Sequence, residues 1–325
     1  MTDTNAPIEA IAALQDKEPS KPPRSRGKDV WDQFSKHKGA MFGLGFLVFI
    51  TLAVLIGPFV WDVDPTKTDI RNKDMRPIYT AIWDGDAKTG WNKPFGSDQL
   101  GRDQLAQMLA GGRASMAVGW AAMLLSLIIG TAVGVTSGYF KRLDGPLMRL
   151  TDLFLSLPIL PLLLLAVTLF RQPLRANFGP EGGMFILIVT MIAITSWMPT
   201  ARIVRGDILA IKEREFVLAA RSIGTTQFKI IRRHLLPNVL SPIMVSAALG
   251  LATAIITESA LSFLGVGFPS DFPTWGKMLA DAVVRMQEFP ERVLLPGIAI
   301  SVTVLSVNYL GDGLRDALDP RIRGR

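Results

Sequence analysis

Residues 215–237, EFVLAARSIGTTQFKIIRRHLLP, form a polar-to-amphipathic stretch between long apolar runs, and the chain is read outward from them. Charged residues lead in (Lys212, Glu213, Arg214, Glu215), and Phe216, Ala219, Ala220 and Ile223 then recur at helical spacing. Gly224 predicts the end of this first helix, because glycine readily takes the left-handed conformation that closes one. Thr225 or Thr226 offers a hydroxyl to accept a backbone N–H and cap a second helix. That helix would carry Phe228, Ile231 and Leu235 on one side, with Lys229, Arg232 and Arg233 nearby, and end at Pro237. Small side chains at Ala219 and Ala220 let a helix sink into a groove on a partner. By itself the stretch is equally a surface hairpin between two membrane spans.

The flanking sequence decides for the membrane. Six runs lack Asp, Glu, Lys and Arg: 39–61, 114–140, 153–170, 182–201, 238–257 and 293–311. Each is roughly the 17–25 residues a helix needs to cross a bilayer core about 30 Å thick. The expectation is an all-α polytopic membrane protein with six transmembrane helices at 39–61, 114–140, 150–170, 182–204, 238–260 and 293–314. The helix–turn–helix loop would occupy 207–237, and external segments 62–113 and 261–292. The 325 residues contain no cysteine, which excludes disulfides and thiol chemistry. Residues 1–28 are polar and rich in Pro, Lys and Ser, and read as a disordered tail without a cleavable signal, so the first span would also be the targeting signal. Residues 29–38 place Val30, Trp31 and Phe34 on one face, as an interfacial helix would, with His37 at headgroup level. The net charge of +7 gathers in the N-terminal tail, 141–149, 202–233 and 315–325, all on one side of six alternating spans. That satisfies the positive-inside rule with both termini cytoplasmic, and argues for a membrane rather than nucleic acid as the partner of the basic residues.

Several polar or conformationally special residues interrupt the apolar pattern. Gly96 and Gly101 in PFGSDQLGRD have phosphate-loop spacing, but Arg102-Asp103 stands where Lys-Ser/Thr is required, so a nucleotide site is excluded. Gly130, Gly134 and Gly138 line one helix face, a pattern that brings backbones together within the bundle or against a partner subunit. Arg149 and Asp152 are spaced to pair on one helix face. Pro158 and Pro161 interrupt the third span, and Glu258 is the one carboxylate in an apolar run; all three are candidates for a gating or structural role. Counted from Asn238, Glu258 falls near the outer boundary, where water would solvate it. Trp275 suits an interfacial anchor. Aspartates at 312, 316 and 319 alternate with Arg315 and Arg321, as local ion pairs would.

Five segments, in order, resemble the ATP-binding-cassette (ABC) importer permeases of the dipeptide/oligopeptide/nickel family, C-subunit type. They are PFGSDQLGRD with Gly112-Arg113-Ala114-Ser115, the SLPILP run at 156–161, and the hairpin AARSIG with HLLPN. Phe263-Leu264-Gly265 with Pro273-Thr274-Trp275-Gly276, and GDGLRDALDP at 311–320, complete the set. The hairpin resembles the family's "EAA" loop, except that Leu218 replaces the leading Glu, with Glu215 three residues earlier in its stead. The resemblance implies a type I importer permease fold with a cytoplasmic coupling helix–turn–helix. It implies ATPase docking through Glu215, Ala219, Ala220, Arg221, Gly224, Leu236 and Pro237. Implied partners are a second homologous permease (a heterodimer), two cytoplasmic ATPases that bind the ATP and Mg, an external solute-binding protein, and membrane lipid. It implies no cofactor, metal or catalysis in this chain, and a multi-pass place in the plasma (inner) membrane of a prokaryote. Peptide is the leading cargo, with glutathione-like peptides, opines and nickel chelates carried by relatives.

A self-sufficient secondary transporter or channel is the rival reading. It would need a relay of buried ionisable groups or a filter, and the spans offer only Glu258 and boundary acids. With His37 and His234 the only histidines, no metalloprotease motif or Cys–His pair is available for an intramembrane enzyme.

Overall fold

In hydrocarbon every backbone N–H and C=O must be satisfied within its own segment, so the apolar runs become helices. A computed structural model describes residues 26–318, apart from 83–84 and 86–87. Most of the 1–28 tail, and 319–325 of the 315–325 tail with the Asp319 and Arg321 pairings, lie outside the described residues. The helices are α1 (Arg26–Lys36), α2 (Lys38–Val60), α3 (Gln104–Tyr139), α4 (Lys141–Ser156), α5 (Ile159–Phe178), α6 (Pro180–Ser196) and α7 (Met198–Ile211). There follow α8 (Glu215–Ser222), α9 (Gln227–Ile230), α10 (Leu240–Phe263), α11 (Trp275–Val283) and α12 (Pro290–Leu318). Five of these are long and apolar enough to span a membrane, and α6 and α7, bent by 43° at their junction, pass the same test taken together.

The organising element is α3. Its 36 residues reach about 54 Å at ~1.5 Å per residue, well beyond a bilayer core. It therefore starts ten residues before the expected 114, inside the external segment, where Asp103 caps it by accepting the Ala106 N–H at 2.9 Å. α7, α10, α6 and α2 pack around it. Gly130, Gly134 and Gly138 face α7: a Cβ added at these positions would lie 2.6 Å from the Trp197 carbonyl oxygen, 2.7 Å from the Ala201 carbonyl oxygen and 2.8 Å from Ile208 Cβ. The stripe is thus filled from within the same subunit.

The third span differs from the expected 150–170. Proline lacks an N–H and forces its predecessor out of the helical region, so the chain is extended at Leu157 (ψ 138°) and Pro158. The result is a broken helix rather than a kinked one: amphipathic α4 ends at Ser156 and the spanning α5 runs from Ile159, with Pro161 in its first turn. Asp152 does not pair with Arg149. It pairs with Arg202 of α7, and Asp144 accepts from the Arg205 Nη2 at 2.8 Å, so α4 is fastened across to α7. The Arg205 hydrogen bond holds the Asp144 carboxyl below the usual carboxylate range.

At the hairpin end of the bundle, Phe34 of α1 is buried with Ala40 and Ala317. Gly313 permits the approach, since a Cβ there would fall 2.2 Å from Ala40 Cβ. His37 caps α2, its Nδ1 accepting from the Ala40 N–H at 3.0 Å, and its Nε2 lies 3.9 Å from Asp316. At the opposite end the glycine loop at 94–103 is closed on itself. The Leu100 and Arg102 N–H groups donate to Asp98 Oδ1 at 2.9 and 2.8 Å, so a carboxylate of the chain itself fills the turn. Asp74 clamps the segment between α2 and α3 to the start of α12, accepting from Arg285 at 2.9 Å and lying 3.0 Å from Arg292. Burial opposes ionisation of Asp74, but the two guanidinium partners outweigh it and hold the carboxyl below its ordinary range.

Two expectations for this end are overturned. Trp275 is no interfacial anchor: it is fully buried, its Nε1 donating to the Met108 carbonyl at 3.0 Å. Gly112 makes the room, because a Cβ there would meet the indole at 2.6 Å. Glu258 is not solvated either. It is 0% exposed, Ser262 Oγ donates to its Oε1 at 2.7 Å, and the hydroxyls of Ser115, Thr274 and Ser259 surround it. The segment between α10 and α11 folds back over the position that counting along the helix had assigned to water.

Candidate functional site

Between α7 and α10 the chain leaves the bundle and returns as the hairpin of residues 212–239. Helix α8 closes at Gly224, where φ is +79°. The Thr225 N–H donates to the Ala220 carbonyl at 3.1 Å and the Gly224 N–H to the Arg221 carbonyl at 3.0 Å. This is the paired 6→1 and 5→2 arrangement in which a left-handed glycine satisfies the last carbonyls of a helix. No heavy atom lies within 4 Å of a Cβ built at Gly224, so its backbone conformation, not space, requires glycine. Thr226 stands at the start of α9, but neither it nor Thr225 supplies the expected hydroxyl cap.

The return strand of the hairpin departs from a regular helix. After α9 a π-helical turn (Ile231–Leu235) and a 3-10 turn (Leu236–Asn238) lead directly into α10, so Pro237 lies within the connection instead of ending it. A π turn bonds i to i+5, which sets Ile230 and Leu235 on one face. Those two are buried, whereas Phe228, expected beside Ile231 and Leu235, is 72% exposed. The buried pair joins Val217 and Val239 in one core with Val135 of α3 and Val204 and Ile208 of α7. Lys212 Nζ adds a bond to the Gly138 carbonyl at 2.9 Å. The hairpin is therefore a rigid extension of two spans at once.

Its outward face is apolar. Phe216 and Leu218 are exposed, and Ile223 is 82% exposed beside the closing glycine. Ala219, Glu215, Arg221, Gly224 and Pro237 share this exposure, Leu236 is half-buried, and Ala220 is turned inward. Of the two alanines, then, only Ala219 is presented to a partner. Ile223 and Phe228 are the residues that sequence periodicity misplaced. A signal was present: Ile223 adjoins the glycine, where the chain has already left the helix face. Phe216 lies against His234, ring centroids 6.4 Å apart. No group of His, Cys, Asp or Glu capable of holding a metal ion occurs among the described residues. A buried core continuous with α3 and α7, under an exposed apolar tip, gives this element the means to take up a load and pass it to the bundle.

Comparison with known proteins shows the family and the fold. The family model described as binding-protein-dependent transport system inner membrane component matches residues 116–324, and the N-terminal TM domain of oligopeptide transport permease C matches 25–77. The oligopeptide transport system permease protein OppC of Bacillus subtilis strain 168 is 35% identical over 94% of this chain and 92% of its own. The dipeptide transport system permease protein DppC of the same organism is 36% identical over 93% and 88%. The di/tripeptide transport system permease protein DppC of Pseudomonas aeruginosa is 36% identical over 91% and 92%. The fold resembles a chain of the MetNI methionine ABC transporter solved in inward-facing form, with a TM-score of 0.53 at 17% identity, over 66% of this chain and 97% of that one.

Proposed function

We propose, from the premise that this chain belongs to the inner membrane component family of binding-protein-dependent transport systems, that the 212–239 hairpin is where an ATPase drives the transporter. The chain is a membrane-spanning permease subunit of an ABC importer, and its relatives are peptide permeases by name. We read its cargo as di- or oligopeptides. The observation that carries the coupling role is the exposed apolar tip (Phe216, Leu218, Ala219, Ile223) on a hairpin whose other face is one core with α3 and α7. An apolar patch held rigidly outside the bundle marks a protein interface.

In this reading the hairpin faces the cytoplasm, together with both termini, in the inner membrane of a prokaryote. Two ATPases bind ATP and Mg and hydrolyse the nucleotide; this chain holds no cofactor and performs no catalysis. A second homologous permease completes the pathway, and an external solute-binding protein delivers cargo to the opposite end. When the ATPases close on each other they displace the hairpins. Because α7 and α10 leave the hairpin directly, both spans move with it, which is how nucleotide energy reaches the pathway. Glu215 and Arg221 are polar contacts flanking the tip, and Gly224 fixes its shape.

The test is uptake of a labelled dipeptide and a labelled pentapeptide by cells carrying A219W or I223D in the chain. Both positions are exposed, so the subunit should insert normally while uptake falls at least tenfold. Wild-type uptake in both variants would remove the docking role from this face.

A further inference from the structure

We propose that the return half of the hairpin holds the phosphate of an anionic phospholipid. The site is a cavity of about 540 Å³ lined by Phe228, Lys229, Arg232, Arg233 and Pro237. Lys229, Arg232 and Arg233 fall within five residues on the last turn of α9 and the π turn, and all three are exposed. None makes an ion pair among the described residues, whereas Arg202, Arg205, Arg285 and Arg292 are each matched by a carboxylate. Three unmatched cations around one concavity are a receptor for a doubly bonded anion, and guanidinium forks fit phosphate oxygens in particular.

Position selects the source of that phosphate. Arg233 precedes the first residue of spanning helix α10, Leu240, by seven positions, about 10 Å along the chain axis. That depth is the headgroup layer, where anionic lipids attract basic residues. Phe228 and Pro237 give the cavity apolar walls, which suit the glycerol and upper acyl carbons of a lipid and would offer nothing to a free ion. The π turn contributes as well. By turning Ile230 and Leu235 into the core it leaves Lys229, Arg232 and Arg233 on the outer side. The apolar tip proposed to meet the ATPase (Phe216, Leu218, Ala219, Ile223) lines no part of this cavity; of the docking residues that the resemblance implies, only Pro237 does. The inference depends on the proposed function only for which leaflet is involved, and the assay below presents the lipid in both.

The experiment uses the intact purified complex in nanodiscs of phosphatidylcholine with graded phosphatidylglycerol. Binding is read from a spin-labelled phosphatidylglycerol immobilised by the protein. R232Q/R233Q should weaken binding on the order of 30-fold, R232K/R233K should restore most of it, and K141Q/R142Q, an equal charge change elsewhere on the same end, should leave it unaltered. Unchanged binding in R232Q/R233Q, or equal loss in K141Q/R142Q, would overturn the site. So would displacement of the lipid by millimolar inorganic phosphate, which would make it a free-anion site. Loss of the ATPase subunits from R232Q/R233Q with lipid binding intact would assign the pocket to the ATPase contact instead.

Discussion

Replacing Gly134 by valine tests the contact on which the hairpin's anchorage depends. An added Cβ at this position would stand 2.7 Å from the Ala201 carbonyl oxygen and 2.8 Å from Val204 Cβ. Optimal carbon separations are about 3.5–4.0 Å, so α3 and α7 would have to part by roughly 1 Å. The nearest obstacle is backbone, which cannot rotate aside. Overpacking of this kind costs about 1–3 kcal/mol, a factor of roughly 5 to 150 in the folding equilibrium, and the two further methyls of valine place G134V at the upper end. Because α7 runs on into the hairpin, the displacement also moves the proposed ATPase contact. The control is G206A on α7 itself, where no heavy atom lies within 4 Å of the new Cβ. There alanine should stabilise the helix by about 0.5–1 kcal/mol. The assay is thermal unfolding of the purified complex in detergent, paired with cargo-stimulated ATPase activity. G134V should melt lower and lose stimulation, and G206A should melt at or above wild type. Wild-type melting of G134V would show that the α3–α7 seam is not close-packed.

Other perturbations isolate other links. G224A should strain the hairpin by about 1–2 kcal/mol, because the glycine occupies a left-handed conformation, and G224N should recover much of the loss in uptake assays because asparagine visits that region. Glu258 is fully buried with four hydroxyl neighbours, so E258Q, which keeps an acceptor for Ser262, should retain part of transport. E258L leaves the buried Ser262 hydroxyl without its acceptor, at about 1–3 kcal/mol for a stranded group, and should fail in both uptake and thermal stability. The clamp at Asp74 predicts a pH dependence. A carboxyl whose folded pKa is depressed stabilises above its unfolded pKa and loses that contribution as pH falls through the folded value. Protection of the amides across 283–292, taken relative to their intrinsic exchange rate at each pH, should therefore be high at neutral pH and fall only below the ordinary carboxylate range. D74N should lower that protection at neutral pH by about fivefold, as expected for a solvent-screened pair worth ~1 kcal/mol.

How much of this was legible in the sequence follows from the range of the forces involved. Spans are set by the solvent that each residue of a run requires, so six apolar runs predict six crossings without knowledge of packing. Gly224 was legible because its requirement is local to its own φ. The glycine stripe on α3 was visible as a face, but which neighbour fills it depends on the Asp144–Arg205 and Asp152–Arg202 pairs, whose members lie 61 and 50 residues apart. Trp275 and Glu258 misled for one shared reason. Their burial comes from the chain that folds back after α10, and Gly111, Gly112 and Gly276 allow that segment to come within van der Waals contact of α3 and α10. Counting residues along a single helix cannot register that. The π turn at 231–235 shifts the buried face by one residue, which no 3.6-residue periodicity anticipates.

The most direct measurement is purification of the tagged chain in mild detergent, with the co-purifying subunits identified and counted. A permease that takes its energy through the 212–239 hairpin should bring with it a second permease and two ATPases, and A219W should lose the ATPases while keeping the second permease. A homomeric protein that transports without any ATPase would contradict that role and give precedence to the self-sufficient carrier or channel.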